Sequence, residues 1–356
     1  MPPLSSNDNQ GLPSPWDWQP LSPSQLQRPV GLLHLEGPDS LRFLHGQTSQ
    51  DLQLARPGQW LGTCCISPTA RLRALAEVLV EDGGAWLVIS AGDAAAVRQA
   101  LDRVLFPADD VRLGDLIEGL WIEPLDTSPT AGGAAEVCGL GRDNAPETSP
   151  VTASQAAGAP TAPGGPAPQW QALETGAGWR LGRSVVLPAG APLPADLAER
   201  RPLTAEAAER WRLSQGLPAT PGEINEDINP FELGLAARVS LGKGCYVGQE
   251  TLAKLATYDG VKQQLRRWYA PAPVTGATAP LAPGSTLRTA EAERAGTITS
   301  SLELANGQGW IGLALVRRLA LEAPQLLAGE GAEAIELRIS TPPCFVPPPI
   351  GAGGGS

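Results

Sequence analysis

The sequence predicts an α+β chain in which a mixed helix-and-strand body precedes a small antiparallel barrel or sandwich. Three observations carry that prediction. Residues 30–124 mix strand-type runs with helical spacing. Residues 265–339 hold only short β-type runs, LRRWYA, GTITSSLEL, WIGLALV and AIELRIS, at the intervals of a small closed or stacked β unit. The stretch 125–168, with DTSPTAGGAAEV and APETSPVTASQAAGAPTAPGGPAPQ, carries few large apolar side chains and separates two bodies.

Taken in order, residues 1–29 are rich in Pro, Ser and Gln and are expected to be a flexible arm, so ordered structure should begin at Val30. VGLLHLEG reads as a strand. Pro38-Asp39-Ser40 then opens a helix with apolar Leu41, Phe43 and Leu44. LRALAEVLV (72–80) and AWLVIS (85–90) read as strands joined by the turn Glu81-Asp82-Gly83-Gly84. Asp93 can cap a helix over AAAVRQALDRVLF, where Val97, Leu101, Val104 and Leu105 keep helical spacing. The first body, 30–124, ends near Glu123. The insertion 125–168 cannot bury enough surface to offset its ordering entropy and is expected to be disordered. A middle body, 169–264, opens at Trp170. It contains a strand-like WRLGRSVVL (179–187) and a helix TAEAAERWRL (204–213) that ends at Gly216. The β unit fills 265–345, and 346–356 is a featureless tail.

Composition narrows the function classes. The chain has 356 residues, with 26 Lys+Arg against 37 Asp+Glu, a formal net charge of −11. That balance argues against a general nucleic-acid or anionic-membrane binder, which needs a basic face. No apolar run reaches the ~18 residues of a membrane span. MPPLSSNDNQGLPSPWDW has neither an apolar core nor an Arg-rich face, so no targeting segment is expected. Five cysteines without CxxC or Cys/His spacing form neither a disulfide framework nor a zinc site. The expectation is a reducing, cytoplasmic setting and no bound metal. His34 and His45 read as structural or surface groups. Cys64 and Cys65 read as small core residues ahead of a turn.

The densest chemistry lies in Lys243-Gly244-Cys245-Tyr246-Val247-Gly248-Gln249-Glu250. The chain has only three lysines, Lys243, Lys254 and Lys262, and all fall in this neighbourhood. Gly244 and Gly248 permit positive φ and close approach of a ligand to the backbone. Lys243 would favour a Cys245 thiolate if the two lie together. GQETLAKL reads as a helix start whose N–H groups, with Glu250, could face a polar ligand. The alternative on spacing alone is a glycine-bounded turn around an inert buried cysteine.

KGCYVGQE resembles the signature of the YgfZ family, folate-binding proteins related to the T-protein (aminomethyltransferase) of the glycine cleavage system. GPDSLRFLHGQTSQDL (37–52) resembles the family's N-terminal block at Gly37, Asp39, Phe43, Leu44, Gly46, Gln47 and Asp51. RLSQGLP (212–218), followed by an acidic stretch and Asn229-Pro230, resembles the segment before the signature. The resemblance spans roughly 30–124 and 170–345. It implies a T-protein-like fold of two mixed α/β portions around a central folate cavity, plus a C-terminal β-barrel. It implies tetrahydrofolate, or a one-carbon derivative, as ligand. The implied role is assembly or repair of iron–sulfur enzymes, with iron–sulfur client or assembly proteins as partners. Cys245 and Lys243 would be the reactive edge, while Gly244, Tyr246, Gly248, Gln249, Glu250 and Arg71 would shape the folate side.

The chain also departs from T-proteins. Ala74 and Leu75 stand where T-proteins carry an acidic pair tied to catalysis, and a methyl group relays no proton. Ser214 stands where a Glu grips the pterin. Glu223, Glu226 and Asp227 are alternatives for that grip, against a plain solvated acidic loop. Arg71 and Arg73 could meet an anionic ligand tail or form a solvated basic edge. Aminomethyl transfer and a folate-binding adaptor without thiol chemistry stay open beside cluster repair. A monomer is the default expectation.

Overall fold

The computed structural model describes residues 14–127, 168–272, 281–331 and 334–350. Most of the 125–168 insertion and the end of the tail lie outside the described residues.

The first body is one sheet with helices on one face. Its strands are β1 (Ser24–Glu36), β2 (Trp60–Ile66), β3 (Leu72–Glu81), β4 (Gly84–Gly92) and β5 (Arg112–Leu125). β1 is central and pairs antiparallel with both β4 and β5. It begins at Ser24 rather than Val30, so the expected flexible arm is ordered over its last residues. Pairing with β5 explains this: Ser24 to Pro29 find backbone partners from Leu125 to Leu120, which the local sequence does not reveal. The cysteine pair lies near the end of β2, just ahead of the turn at 67–70, and both thiols are buried as expected.

Side-chain alternation assigns the two faces. Leu33 and Leu35 of β1, with Ala74, Ala76, Val78 and Val80 of β3, pack against α1 (Ser40–Gln47) and α2 (Ala94–Asp102). Asp93 caps α2, its carboxylate accepting from the Ala96 N–H at 3.0 Å. α2 stops at Asp102, short of the expected Phe106. Pro107 disfavours helix at the residue before it, and Val104 and Phe106 are exposed.

The middle segment does not build a sheet of its own. β6 (Trp170–Ala172), β7 (Trp179–Leu181) and β8 (Ser184–Pro188) extend the first sheet, giving the order β2-β3-β4-β1-β5-β8-β7-β6. The single strand expected over 179–187 is a hairpin, because Gly182 adopts φ +59° and turns the chain between β7 and β8. β9 (Arg201–Pro202) pairs parallel with β1. α3 (Ala205–Gln215) runs as expected from the Thr204 cap to left-handed Gly216 at φ +72°.

The last strands are β10 (Gln263–Ala270), β11 (Thr286–Arg288), β12 (Arg294–Leu304), β13 (Gly309–Arg317), β14 (Gln325–Ala328) and β15 (Ile335–Ser340). They close into a barrel in the order β10-β13-β12-β11-β14-β15. Closure removes free edges. Trp268 fills the interior, fully buried, with its indole N–H on the Leu313 carbonyl at 3.0 Å. Gly312 is required beneath it, since a Cβ there would lie 2.5 Å from the ring and 2.0 Å from the Ser300 carbonyl oxygen.

A shared core joins the parts. Ile66, Leu72 and Leu75 of the sheet meet Phe231 and Leu233 of the following loop, and Leu265, Ile311 and Leu313 of the barrel. A polar node reinforces this junction. Glu223 is fully buried and accepts from the Ala219 N–H at 3.0 Å and the Ser300 hydroxyl at 2.8 Å. Arg212 of α3 pairs with it at 3.3 Å.

Candidate functional site

The signature segment runs along the turn that follows α1. Lys243 is buried, and its ammonium donates to the carbonyls of His45, Thr48 and Gln50 at 2.5, 2.7 and 2.7 Å. Three N–H donors meet three acceptors, so the amine is saturated. Its charge also lies 4.3 Å from the centre of the Tyr246 ring. Burial pulls its pKa down to about 7, and the Asp51 carboxylate opposes that. Lys243, expected at a reactive edge, is thus an internal cross-link between the two segments that carry the family resemblance. The same contact runs through the backbone, where the Val247 N–H donates to Gly46 and the Ser240 N–H to Ser49. His45 joins it as an acceptor: the Leu52 N–H donates to its Nδ1 at 3.2 Å, and burial and Lys243 hold its pKa down. His34 stacks on Trp86 at 4.4 Å, between Glu36 and Glu81.

Cys245 projects from this clamped loop into solvent as a free thiol. Cys64 and Cys65 are free but buried, and burial pushes both thiols up to about 12. A thiol is nucleophilic only as thiolate, so those two are inert packing groups. Cys344 is disulfide-bonded and is not among the free thiols.

The other signature residues shape the loop. Gly248 adopts φ +79° and packs on the turn after β2, where a Cβ would come within 2.8 Å of the Ser67 carbonyl oxygen. α4 (Gln249–Thr257) starts there. Gln249 donates to the Lys243 carbonyl at 2.9 Å and closes the loop on itself. Tyr246 packs into the shared core, with its hydroxyl buried. Gly244 has open space around it. Glu250 points to solvent and pairs with Lys254 at 2.7 Å, one turn along α4.

The acidic loop divides. Glu223 is the buried node described above, not a solvated group. Glu226 is exposed and pairs with Arg73 at 3.0 Å. Arg71 donates to the Asp227 carbonyl and so ties that loop to β3. Ser214 is buried and donates to the Trp211 carbonyl at 2.7 Å, so it is occupied within α3.

A cavity opens on the sheet face opposite α1 and α2, with about 680 Å³ of empty space including its mouth. Arg28, Trp60, Leu75, Glu77, Ser90 and Trp121 form its sheet side. Leu217, Leu233, Leu235, Arg238 and Cys344 cover it. Leu75, one of the two residues at the T-protein acidic pair, is on this wall, whereas residues 243–250 are not. Glu77 and Arg238 form a buried ion pair at 2.7 Å. Burial raises the Glu77 pKa against the pull of Arg238. Arg28, beside them, stacks over Trp121 at 5.5 Å, and burial lowers its pKa.

These cavity residues were missed in the sequence because five different strands and the segments that cover them contribute them. One signal existed. Alternation in LRALAEVLVE places Glu77 between Leu75 and Leu79 on a buried face, an unusual place for a carboxylate. Among the described residues no group of His, Cys, Asp and Glu could hold a metal ion. No described helix is long and apolar enough to cross a membrane.

Comparisons with known proteins agree with this architecture. Residues 269–345 match the CAF17 C-terminal beta-barrel domain. A putative chloroplastic transferase of Arabidopsis thaliana is 29% identical over 308 residues, covering 82% of this chain and 64% of the plant protein. The human mitochondrial iron–sulfur cluster assembly factor IBA57 is 33% identical over 137 residues, 37% of this chain and 35% of that protein. The chain therefore spans less than two thirds of the length of either relative. The crystal structure of glycine cleavage system aminomethyltransferase T from Bartonella henselae superposes with a TM-score of 0.63 at 18% identity, covering 91% of this chain and 87% of that one. That likeness establishes the T-protein fold. With the barrel-domain match and the similarity to IBA57, it supports the likeness to YgfZ/IBA57-type proteins of the T-protein fold.

Proposed function

We propose that this protein binds tetrahydrofolate, or a one-carbon derivative, and supports assembly or repair of iron–sulfur clusters through Cys245. The observation that carries this reading is the contrast among the free thiols of the described residues. Two are buried and inert, while Cys245 is presented to solvent on a loop that Lys243 locks in place. A lone thiol cannot hold a cluster, which usually needs four protein ligands. Cys245 would therefore share an iron or sulfur with an iron–sulfur client or assembly protein. The human relative's name as an assembly factor supports the same direction.

The sheet-face cavity suits the folate. It brings the aromatic rings of Trp60 and Trp121 and several leucines together with the charged groups of Arg28, Glu77 and Arg238. Bound folate would supply a one-carbon carrier; the chain's own part is to hold it and exclude water. Aminomethyl transfer, the rival reading, is favoured by the plant relative's name as a putative transferase. It is disfavoured by Ala74 and Leu75, which put no carboxylate at the two positions of the T-protein acidic pair.

The test is rescue of a cell lacking the protein, read as activity of iron–sulfur enzymes. Wild type should restore it, and Cys245→Ala should fold yet fail. Full rescue by Cys245→Ala would sink the thiol's role and leave a folate-binding adaptor. Methylene-tetrahydrofolate formed from an aminomethyl-lipoyl donor would establish the transferase instead.

A further inference from the structure

Tyr258 and Leu319 are large hydrophobic side chains left 77% and 60% exposed. Tyr258 caps the C-terminal end of α4, and Leu319 lies in the helical turn after β13. Their chain neighbours meet. The Arg318 guanidinium donates to the Asp259 carbonyl at 2.7 Å and pairs with the Asp259 carboxylate. The Arg318 N–H donates to the Lys262 carbonyl at 2.9 Å. Two apolar side chains therefore flank one surface bridge, and neither joins a hydrophobic cluster of the described residues.

The rim of this patch is basic on a chain whose formal net charge is −11. Lys254, Lys262, Arg317 and Arg318 face two acids, Glu250 and Asp259, which are taken by Lys254 and Arg318. Lys262 and Arg317 are exposed and hold no salt bridge among the described residues. Glu232, also near Lys262, is buried and accepts from the Asn229 N–H at 2.9 Å. Two of the chain's three lysines are here. Lysine carries a compact, hydrated charge without a fixed fork, which suits steering a partner more than locking a surface.

We propose that Tyr258 and Leu319, inside this basic rim, are the docking surface for a folded iron–sulfur protein that presents an acidic face. This rests on the Cys245 reading above and gives its partner a place to bind. Charge complementarity names the partner's chemistry: its acids meet Lys262 and Arg317, while the acidic remainder of the chain repels other approaches. Exposed tyrosine and arginine are the residue types that anchor interfaces. Position ties the patch to the thiol. Glu250, Lys254 and Tyr258 follow one another a turn apart along α4, and exposed Cys245 lies in the loop that leads into that helix. The helix is about 14 Å long, whereas a partner footprint of about 800 Å² is roughly 30 Å across. One protein seated on the patch therefore reaches Cys245. An anionic membrane or a nucleic acid needs a wider basic field than four cations.

The full chain, expressed in cells that lack it, tests this. Position 258 carries the photo-crosslinker p-benzoylphenylalanine, and rescue of iron–sulfur enzyme activity is measured for three parallel variants. These are Lys262→Glu with Arg317→Glu, Tyr258→Ser with Leu319→Ser, and Cys245→Ala. The two surface pairs break no salt bridge among the described residues, and unchanged melting temperatures check their folding. Leu21→Ser with Phe106→Ser removes exposed apolar surface elsewhere as a control. Illumination should join position 258 to an iron–sulfur protein with an acidic surface. The yield should fall at least about tenfold with Lys262→Glu and Arg317→Glu and survive Cys245→Ala. Both surface pairs should fail to rescue, and the control should rescue. No adduct, or an adduct only to a second copy of the chain, to lipid or to nucleic acid, would overturn the docking surface. If both surface pairs rescue while Cys245→Ala fails, the surface is wrong and the thiol reading stands. If Cys245→Ala rescues while the surface pairs fail, the thiol reading falls and the surface stands.

Discussion

The signature loop and the sheet-face cavity are both built on buried charge, yet they treat it in opposite ways. At the loop, Lys243 has three N–H groups and three carbonyl acceptors, and nothing is left over. At the cavity, Glu77 keeps one oxygen for Arg238 and leaves the other bare, with three unpaired donors on the surrounding walls. A saturated buried charge fixes a shape. An unsaturated one costs stability unless something else completes it. The loop therefore reads as a rigid support for an exposed thiol, and the cavity as a place prepared for a ligand.

Breaking the support should have the largest effect. Lys243→Ala strands three carbonyls and should cost about 4 kcal/mol of unfolding free energy in urea melts, since each unsatisfied buried group costs about 1–3 kcal/mol. A loss below about 1 kcal/mol would mean that water replaces the ammonium and that the clamp is not internal. Glu223→Ala, at the other saturated node, should cost about 3 kcal/mol because it leaves Arg212 and Ser300 without their shared carboxylate. An effect confined to activity, with stability intact, would move Glu223 from the frame to a site.

The clamp also titrates. The native Lys243 pKa is pulled down to about 7 from the ordinary 10.5. Between those values the unfolded chain holds a proton that the native state has released. Unfolding free energy should therefore rise with pH from about 7 to about 10.5 and level off outside that window. Lys243→Met should lack that component of the slope. Parallel slopes for the two proteins would mean that the three carbonyls keep the ammonium charged throughout.

The smallest effect on stability is expected at the thiol itself. Cys245 is exposed, so Cys245→Ala should shift stability by no more than about 0.5 kcal/mol while removing the fast phase of alkylation by a thiol reagent. Loss of that fast phase without the mutation, in Lys243→Ala, would tie thiol presentation to the clamp.

Legibility followed sequence distance. The caps at Asp93 and Thr204 and the stop at Gly216 were readable because capping is decided within a few residues. Four of the six barrel strands were readable from their runs, while the short β11 and β14 were not. The start of β1 at Ser24 was not, because its partners lie in β5, about a hundred residues along the chain. The 179–187 segment was read as one strand because the glycine turn within it is short. At the site, Cys245 and Lys243 stood out by motif and by the scarcity of lysine, but their division into an exposed thiol and a buried cross-link did not.

By itself, the sequence determined the α+β class, a small barrel or sandwich at the C-terminal end and the family resemblance carried by 37–52, 212–218 and 243–250. These rest on local periodicity, turn chemistry and motif, which are written in neighbouring residues. Tertiary structure decided the rest. It merged the middle strands β6–β8 into the first sheet, folded Lys243 onto three carbonyls of a distant turn, and gathered Arg28, Trp60, Glu77, Trp121 and Arg238 around one cavity. Those outcomes depend on which buried polar groups find partners across the fold, and pairing at that range is settled only when the whole chain packs.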